Sequence, residues 1–204
     1  ELRVVDDNGN EVPHDGETLG EITVRGNVVM KGYYNDPEAT AAAIKDGWFH
    51  SGDAAVVHDD GFVEIRDRFK DVIISGGENI SSVEVEGCLL HHPSVQEVAV
   101  VGMPHEKWGE SPHAFVVLKE GAAASEDEIK LHVRDNLAHF KTPSWVSFVE
   151  DLPKTATGKV QKYVLKQFAS ILPHDVEARR AFVQNGGLQF LQELNETVGG
   201  KLTE

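Results

Sequence analysis

"RFKDVIISGGENISSVEVE", residues 68–86, decides how this chain is to be read. It joins a charge cluster, Arg68 to Asp71, to a short β-branched run, a double glycine and a segment with helical spacing. The run Val72–Ser75 predicts a strand. Ser81 or Ser82 suits an N-cap, and the apolar spacing predicts a helix over Val83–Leu90 with Val83, Val85 and Leu89 turned inward. Gly76 and Gly77 allow positive φ, or the close approach of another molecule to bare backbone. A charge cluster between two strand-like runs suits a domain boundary, set here between Arg68 and Phe69. By spacing alone the stretch reads first as an ordinary strand–turn–helix.

Downstream the same alternation continues. Strands are expected at Val95–Gly102, Ala114–Leu118 and Val146–Val149, with a polar loop around Trp108 and a helix at Glu126–Asn136. The run "DLPKTATGKVQKYVLKQF", 151–168, is a turn-forming loop bracketed by Pro153 and Gly158, followed by an amphipathic helix. Strands alternating with helices over about 100 residues imply helices packed on a sheet, an α/β fold of the α+β kind. Upstream, residues 1–67 are strand-rich. "LRVVD" and "EITVR" are short β-branched runs. Asp36 and Pro37 open a helix that Asp46-Gly47 stops, and "AAVVH", "DDG" and "FVEIRD" read as a hairpin. From Pro173 the pattern changes to two helices joined at Asn185-Gly186-Gly187, with Asp175 as an N-cap. The expected organisation is therefore 1–68, 69–170 and a helical tail over 171–204.

Composition narrows the function. The 204 residues carry a formal charge of −15. Such acidity argues against nucleic acid, whose phosphates need a lysine or arginine surface. The single cysteine, Cys88, excludes a disulfide framework. No run of about 18 apolar residues suggests a membrane span. The ten histidines show no metal-ligand spacing, so no metal site is expected from them. The opening "ELRVVDD" reads as a strand entered in midstream, so a piece of a longer protein is expected.

Three further stretches carry candidate chemistry. "GWFHSGD", 47–53, sets two aromatics before a tight Ser-Gly-Asp turn. A carboxylate held there, Asp53, could accept hydrogen bonds from both hydroxyls of a diol such as ribose. Trp108 sits in the polar loop of "VVGMPHEKWGES", a place that packing explains as well as binding. Lys154 and Lys159 stand in the 151–161 loop of a chain otherwise crowded with acids.

The order of "GEITVRGNVVMKGYYNDPEAT", "GWFHSGD", "RFKDVIISGGENISSVEVE", "VVGMPHEKWGE" and "LPKTATGK" resembles the adenylate-forming acyl-CoA synthetases, the AMP-binding family. Intact "SGGENISS" and "KWGE" are most similar to the fatty-acid and acyl-activating CoA ligases. The resemblance covers residues 1–170. It implies the β-rich end of a large domain followed by a small mobile α/β domain with a mixed sheet. It also implies ATP and CoA as substrates, with Mg2+ carried by the ATP and its ligands outside this chain. The reaction implied is attack of a carboxylic acid on ATP to give an acyl-adenylate, then thioester formation with CoA, the small domain rotating between the steps.

Carried over position by position, the resemblance makes Lys159 the catalytic lysine that reaches the carboxylate and α-phosphate. It leaves Lys154 as a solvated neighbour. Asp53 and Arg68 become ribose contacts and Lys70 the hinge. Gly76, Gly77 and Trp108 line the pantetheine passage, and Phe140 and Lys141 lie near the CoA nucleotide. Thr142 and Ser144 depart from the basic residues of related ligases. The family's Gly-rich phosphate loop and acyl pocket have no counterpart in these residues, so the chain is expected to be inactive alone. "LPHDVEARRAFVQNGGLQFLQEL", 172–194, resembles the terminal armadillo-type segment of sperm-associated-antigen proteins of the ciliary axoneme. That implies an alternative, a non-catalytic module docking to an armadillo or axonemal scaffold. A cytoplasmic setting is expected, with peroxisome, mitochondrion or cilium as the alternatives.

Overall fold

The computed structural model describes residues 1–171 together with Gly186 and Gly187. The expected helical pair of the tail lies outside the described residues, as does any armadillo-like surface on it. The chain divides into two compact units, Glu1–Val72 and a second that begins at Ile73.

The first unit is an antiparallel sheet with one short helix. Its elements are β1 (Leu2–Val5), β2 (Gly20–Val24), α1 (Pro37–Ala43), β3 (Ile44–Lys45), β4 (Trp48–Val57) and β5 (Val63–Arg68). The order is β1-β2-β4-β3, with β5 also paired to β4. Val4, Val12, Ile22, Ala55 and Val57 form its core. Helix α1 begins as expected: the Asp36 carboxylate accepts from the Ala39 N–H at 2.9 Å, and Pro37 fills the first position, where a missing donor costs nothing. It ends earlier than expected. Lys45 pairs with Trp48 across Asp46 and Gly47, whose φ values are 49° and 78°. The Asp-Gly pair is thus a hairpin turn rather than a helix stop. Positive φ at both central residues is what the twist of a two-residue hairpin demands.

The second unit holds β6 (Ile73–Ser75), β7 (Glu78–Ile80), α2 (Ser82–Leu90), β8 (Val95–His105), β9 (Gly109–Leu118), α3 (Glu126–Asn136), β10 (Trp145–Phe148) and α4 (Lys162–Ile171). Its sheet is mixed: β10 runs parallel to β9, while β8 and β6 pair with β9 antiparallel. Both faces of the sheet are covered. Ala99, Val101, Met103, Phe115 and Val117 point one way, onto Val164, Leu165 and Phe168 of α4. Val98, Val100, Ala114 and Val116 point the other way, onto Val85 and Leu89 of α2 and Ile129 and Val133 of α3. Strands buried on both faces must be apolar at every position, which is why "VAVVGM" and "AFVVL" read as unbroken runs.

Three local expectations need correction. Val83 is 52% exposed. The helix starts one residue earlier, capped by Ser81, and its inward face is Ser82, Val85 and Leu89, which leaves Val83 a third of a turn away. The polar loop around Trp108 shrinks to a three-residue tip, because β8 and β9 stay paired from Val95–Leu118 out to His105–Gly109. Pro104 sits within that ladder opposite Glu110. Lastly, the double glycine is a tight hairpin turn: Ser75 pairs with Glu78, and Gly76 and Gly77 have φ of 61° and 89°. The short strand β7 after it was not anticipated.

Candidate functional site

In the first unit the structure joins Asp53 and Arg68. They are register partners on β4 and β5, with Arg68 Nε 3.0 Å from Asp53 Oδ1. The turn expected at Ser51-Gly52-Asp53 is instead a bulge inside β4. The ladder with β2 jumps between Glu21 and Thr23, and Gly52 has φ of 73°. A bulge of this kind re-aims the side chain that follows it. Glu21 on β2 pins it, accepting from the Gly52 N–H at 3.0 Å through Oε1 and meeting His50 Nδ1 at 2.5 Å through Oε2. The Asp53 side chain keeps 27% of its surface. Glu21 escaped the sequence reading because its contact to Gly52 spans 31 positions.

Lys70 is the middle residue of a one-turn 3-10 helix, Phe69–Asp71, closed by the Val72 N–H donating to the Arg68 carbonyl at 3.0 Å. The division between the two units follows immediately, after Val72.

In the second unit, Gly76 and Trp108 touch. The tip of the β6–β7 hairpin donates from Gly76 N–H to the Trp108 carbonyl at 2.8 Å. A β-carbon at Gly76 would stand 3.0 Å from the Trp108 ring, whereas one at Gly77 would meet nothing within 4 Å. Trp108 remains 45% exposed, with the Lys107 ammonium 4.2 Å from its ring centre. These residues form a bare-backbone ledge beside an exposed aromatic wall.

Phe140 and Lys141 share the 3-10 turn His139–Lys141. The phenyl ring is 44% exposed. The Lys141 ammonium is already engaged, bonded to both oxygens of Glu84 on α2 at 2.7 and 2.6 Å. Glu84 was not among the expected site residues. At the departing positions, Thr142 Oγ1 is buried with no hydrogen-bond partner, and Ser144 Oγ lies 2.5 Å from Ser111 Oγ.

Lys159 stands at the end of a pinched loop between β10 and α4. Lys154 and Val160 bridge its base. Within it the Thr155 N–H donates to the Lys159 carbonyl (2.8 Å), the Gly158 N–H to the Thr155 carbonyl (2.8 Å) and the Lys159 N–H to Thr155 Oγ1 (3.1 Å). The Lys159 side chain is exposed, and its ammonium has no partner among the described residues. Lys154 does not fit the expectation of a solvated neighbour. Its ammonium bonds Glu97 at 2.7 and 3.0 Å and Asp151 at 3.2 Å, and the Glu97 carboxylate raises its pKa above the ordinary lysine value. Among the described residues, no group of three His, Cys, Asp or Glu could hold a metal ion, and no helix is long and apolar enough to cross a membrane.

Comparison with known proteins gives this geometry a context. Residues 84–159 match the family described as AMP-binding enzyme C-terminal domain. The chain is 53% identical over 158 residues to the peroxisomal trans-cinnamate:CoA ligase of Petunia hybrida, covering 78% of this chain and 28% of that protein. It is 53% identical over 169 residues to 4-hydroxybutyrate–CoA ligase 2 of Metallosphaera sedula, covering 83% and 31%. Among solved structures it superposes on ATP-bound MatB from Rhodopseudomonas palustris with a TM-score of 0.75 at 39% identity, covering 83% of this chain and 34% of that one. The chain thus spans about three tenths of the length of the curated relatives it matches.

Proposed function

We propose that this chain, whose residues 84–159 match the AMP-binding enzyme C-terminal domain and which is 53% identical to a CoA ligase over 158 residues, is the part of an AMP-forming acid–thiol ligase that supplies the mobile lysine, the ribose carboxylate and the hinge. In the first half-reaction a carboxylate oxygen attacks the α-phosphorus of ATP, the bond to the β-phosphate oxygen breaks, and pyrophosphate leaves. In the second, the CoA thiol attacks the acyl carbon, AMP leaves, and the thiol proton is released.

Lys159 acts in the first step. Negative charge gathers on the α-phosphoryl oxygens as the attacking and leaving groups exchange, and a preplaced ammonium stabilises it by about 3 kcal/mol. Asp53, its side chain 27% exposed, accepts from the ribose hydroxyls, while Arg68 Nε holds Oδ1. Gly76, Gly77 and Trp108 guide the pantetheine arm, bare backbone on one side and an aromatic wall on the other. Phe140 offers an apolar face to the CoA nucleotide. Lys141 joins it only by exchanging Glu84 for a phosphate. Mg2+ enters with ATP, as part of the substrate. Relatives named as peroxisomal favour the peroxisome among the expected settings.

The observation that carries this reading is the contrast among neighbouring lysines. Lys141, Lys154 and Lys162 each hold a carboxylate within 2.7 Å, whereas Lys159 holds none among the described residues. In a chain with 34 acidic residues, an ammonium left open at a loop end is available to a ligand. The test is Lys159→Ala in the ligase that contains this chain, assayed by half-reaction. Adenylate formation is expected to fall by about 10²-fold or more, while thioester formation from supplied acyl-adenylate stays within a few-fold. Equal losses in both steps would refute the assignment. Residues 1–204 by themselves hold no Gly-rich phosphate loop bearing a lysine, and they are expected to give no ATP–pyrophosphate exchange in the same assay.

A further inference from the structure

The loop that carries Lys159 is fastened at both feet, and both fastenings lead to one strand. On the entry side, Lys154 binds Glu97, a residue of β8, at 2.7 Å. On the exit side, Lys162 opens α4 and binds Glu86 of α2 at 2.7 Å and Ser82 Oγ at 2.6 Å. Glu86 in turn accepts from the Val100 N–H of β8 at 2.8 Å through the same oxygen that holds Lys162. Between the feet, the Gln161 N–H donates to the Pro153 carbonyl at 2.8 Å and closes the loop across its base. β8 is paired to β9 along its whole length and has sheet-core residues facing both helical layers, so it offers a fixed reference.

We propose that Lys154 and Lys162 are positioning residues for Lys159: their ion pairs with Glu97 and Glu86 register the loop base against β8, so that the tip ammonium is presented at a fixed height and direction. This rests on the reading of Lys159 as the lysine that meets the α-phosphate. The two anchors differ in kind. The Lys154–Glu97 pair is about one third exposed on each side, and such a pair adds little to global stability. Lys162 and Glu86 are each 17% exposed, so cutting that pair strands a half-buried charge and endangers the fold. Lys154 is therefore the position where loop geometry can be altered without unfolding the unit. A lysine displaced by about 1 Å from its target can lose on the order of 10²-fold in rate, which is why an exposed pair of small energetic weight could still matter to the chemistry.

The experiment has two arms. In residues 1–204, hydrogen exchange is followed at the Thr155, Gly158 and Lys159 amides in Lys154→Met, Glu97→Gln and Lys154→Arg, with the Phe115 amide of β9 as the internal reference. The first two substitutions should quicken loop exchange by about tenfold without changing the reference, since they open the loop locally, and Arg should restore it. In the ligase, Lys154→Met should lower kcat for adenylate formation by about tenfold with the KM for ATP within threefold, because misplacement affects the transition state more than binding. Lys154→Arg should recover most of the rate. Unchanged loop exchange in Lys154→Met, or faster exchange at Phe115 as well, overturns the anchoring role. Loosened loop amides with an unchanged kcat overturn the positioning role. If Lys159→Ala leaves adenylation intact, it is the catalytic reading that fails, and the exchange arm still judges the anchors.

Discussion

Gly52 adopts a φ of 73° in the middle of a strand, and that one dihedral decides where Asp53 points. The bulge costs a ladder position, and the Gly52 N–H it turns outward needs an acceptor. Glu21 supplies it at 3.0 Å. Removing that carboxylate frees the bulge to relax and, on the proposed function, lets the Asp53 oxygens drift from the ribose. Glu21→Ala is therefore expected to raise the KM for ATP by about three- to tenfold with kcat little changed, since one positioning hydrogen bond is worth roughly 1 kcal/mol. Glu21→Gln keeps an acceptor oxygen and should behave like the parent. Steady-state kinetics on the three proteins decide the matter: an unaltered KM in Glu21→Ala, or a fall confined to kcat, would show that Glu21 does not hold the ribose site.

Among the elements, the β6–β7 hairpin carries the sharpest expectation. Alanine at Gly76 or Gly77 places an L-residue at positive φ, which costs about 1–2 kcal/mol in either case. Only at Gly76 does the new methyl also meet the Trp108 ring. Both variants should lower the unfolding temperature, but only Gly76→Ala should shift tryptophan emission and slow thioester formation while sparing adenylation. Matching effects from the two substitutions would remove Trp108 from the acyl-transfer step.

The same hairpin shows what the sequence could and could not reveal. Local signals were strong where one residue decides the matter: Asp36 and Ser81 cap their helices as expected, and α3 begins and ends at the expected residues behind a Ser125–Glu128 capping box. The turn glycines were visible as turns. What they turned into depended on partners far along the chain. Ser51-Gly52-Asp53 became a bulge because β2 lies alongside, and "MPH" and "GES", 103–105 and 109–111, became strand because two apolar runs pulled their polar ends into one ladder. Pairing overrides propensity there, since strand preference reflects the neighbour across the sheet more than the residue itself. The ion pairs of Lys141, Lys154 and Lys162 span 57, 57 and 76 positions (162 − 86 for the last), beyond the reach of any spacing rule. Asp53, Gly76, Trp108 and Lys159 could be named from the motifs. Glu21, Glu97 and Glu86, which hold the Gly52 bulge and the base of the Lys159 loop, could not.

At the scale of the whole molecule, the proposed function requires one chain to serve two half-reactions. The chain divides after Val72, and the residues just before the division form a single 3-10 turn with Lys70 at its centre. The turn is closed by the Val72 N–H donating to the Arg68 carbonyl, and hinges are built from a few such element-terminal residues whose dihedrals absorb the change. If Lys70 is the hinge, what matters at this position is backbone freedom. Lys70→Pro fixes φ at position 70 near −65° and disfavours the helical conformation of Phe69 before it. Lys70→Ala leaves both free. In the ligase, the proline variant should then retain one half-reaction within a few-fold and lose the other by about tenfold or more, as expected when a conformational step and not chemistry is blocked. The alanine variant should support both. Thermal unfolding separates this from a simple loss of structure, because a hinge substitution should leave the melting of each unit within a few degrees of the parent. Equal suppression of both half-reactions with melting preserved, or a proline variant that performs both at full rate, would show that the chain does not turn at Lys70.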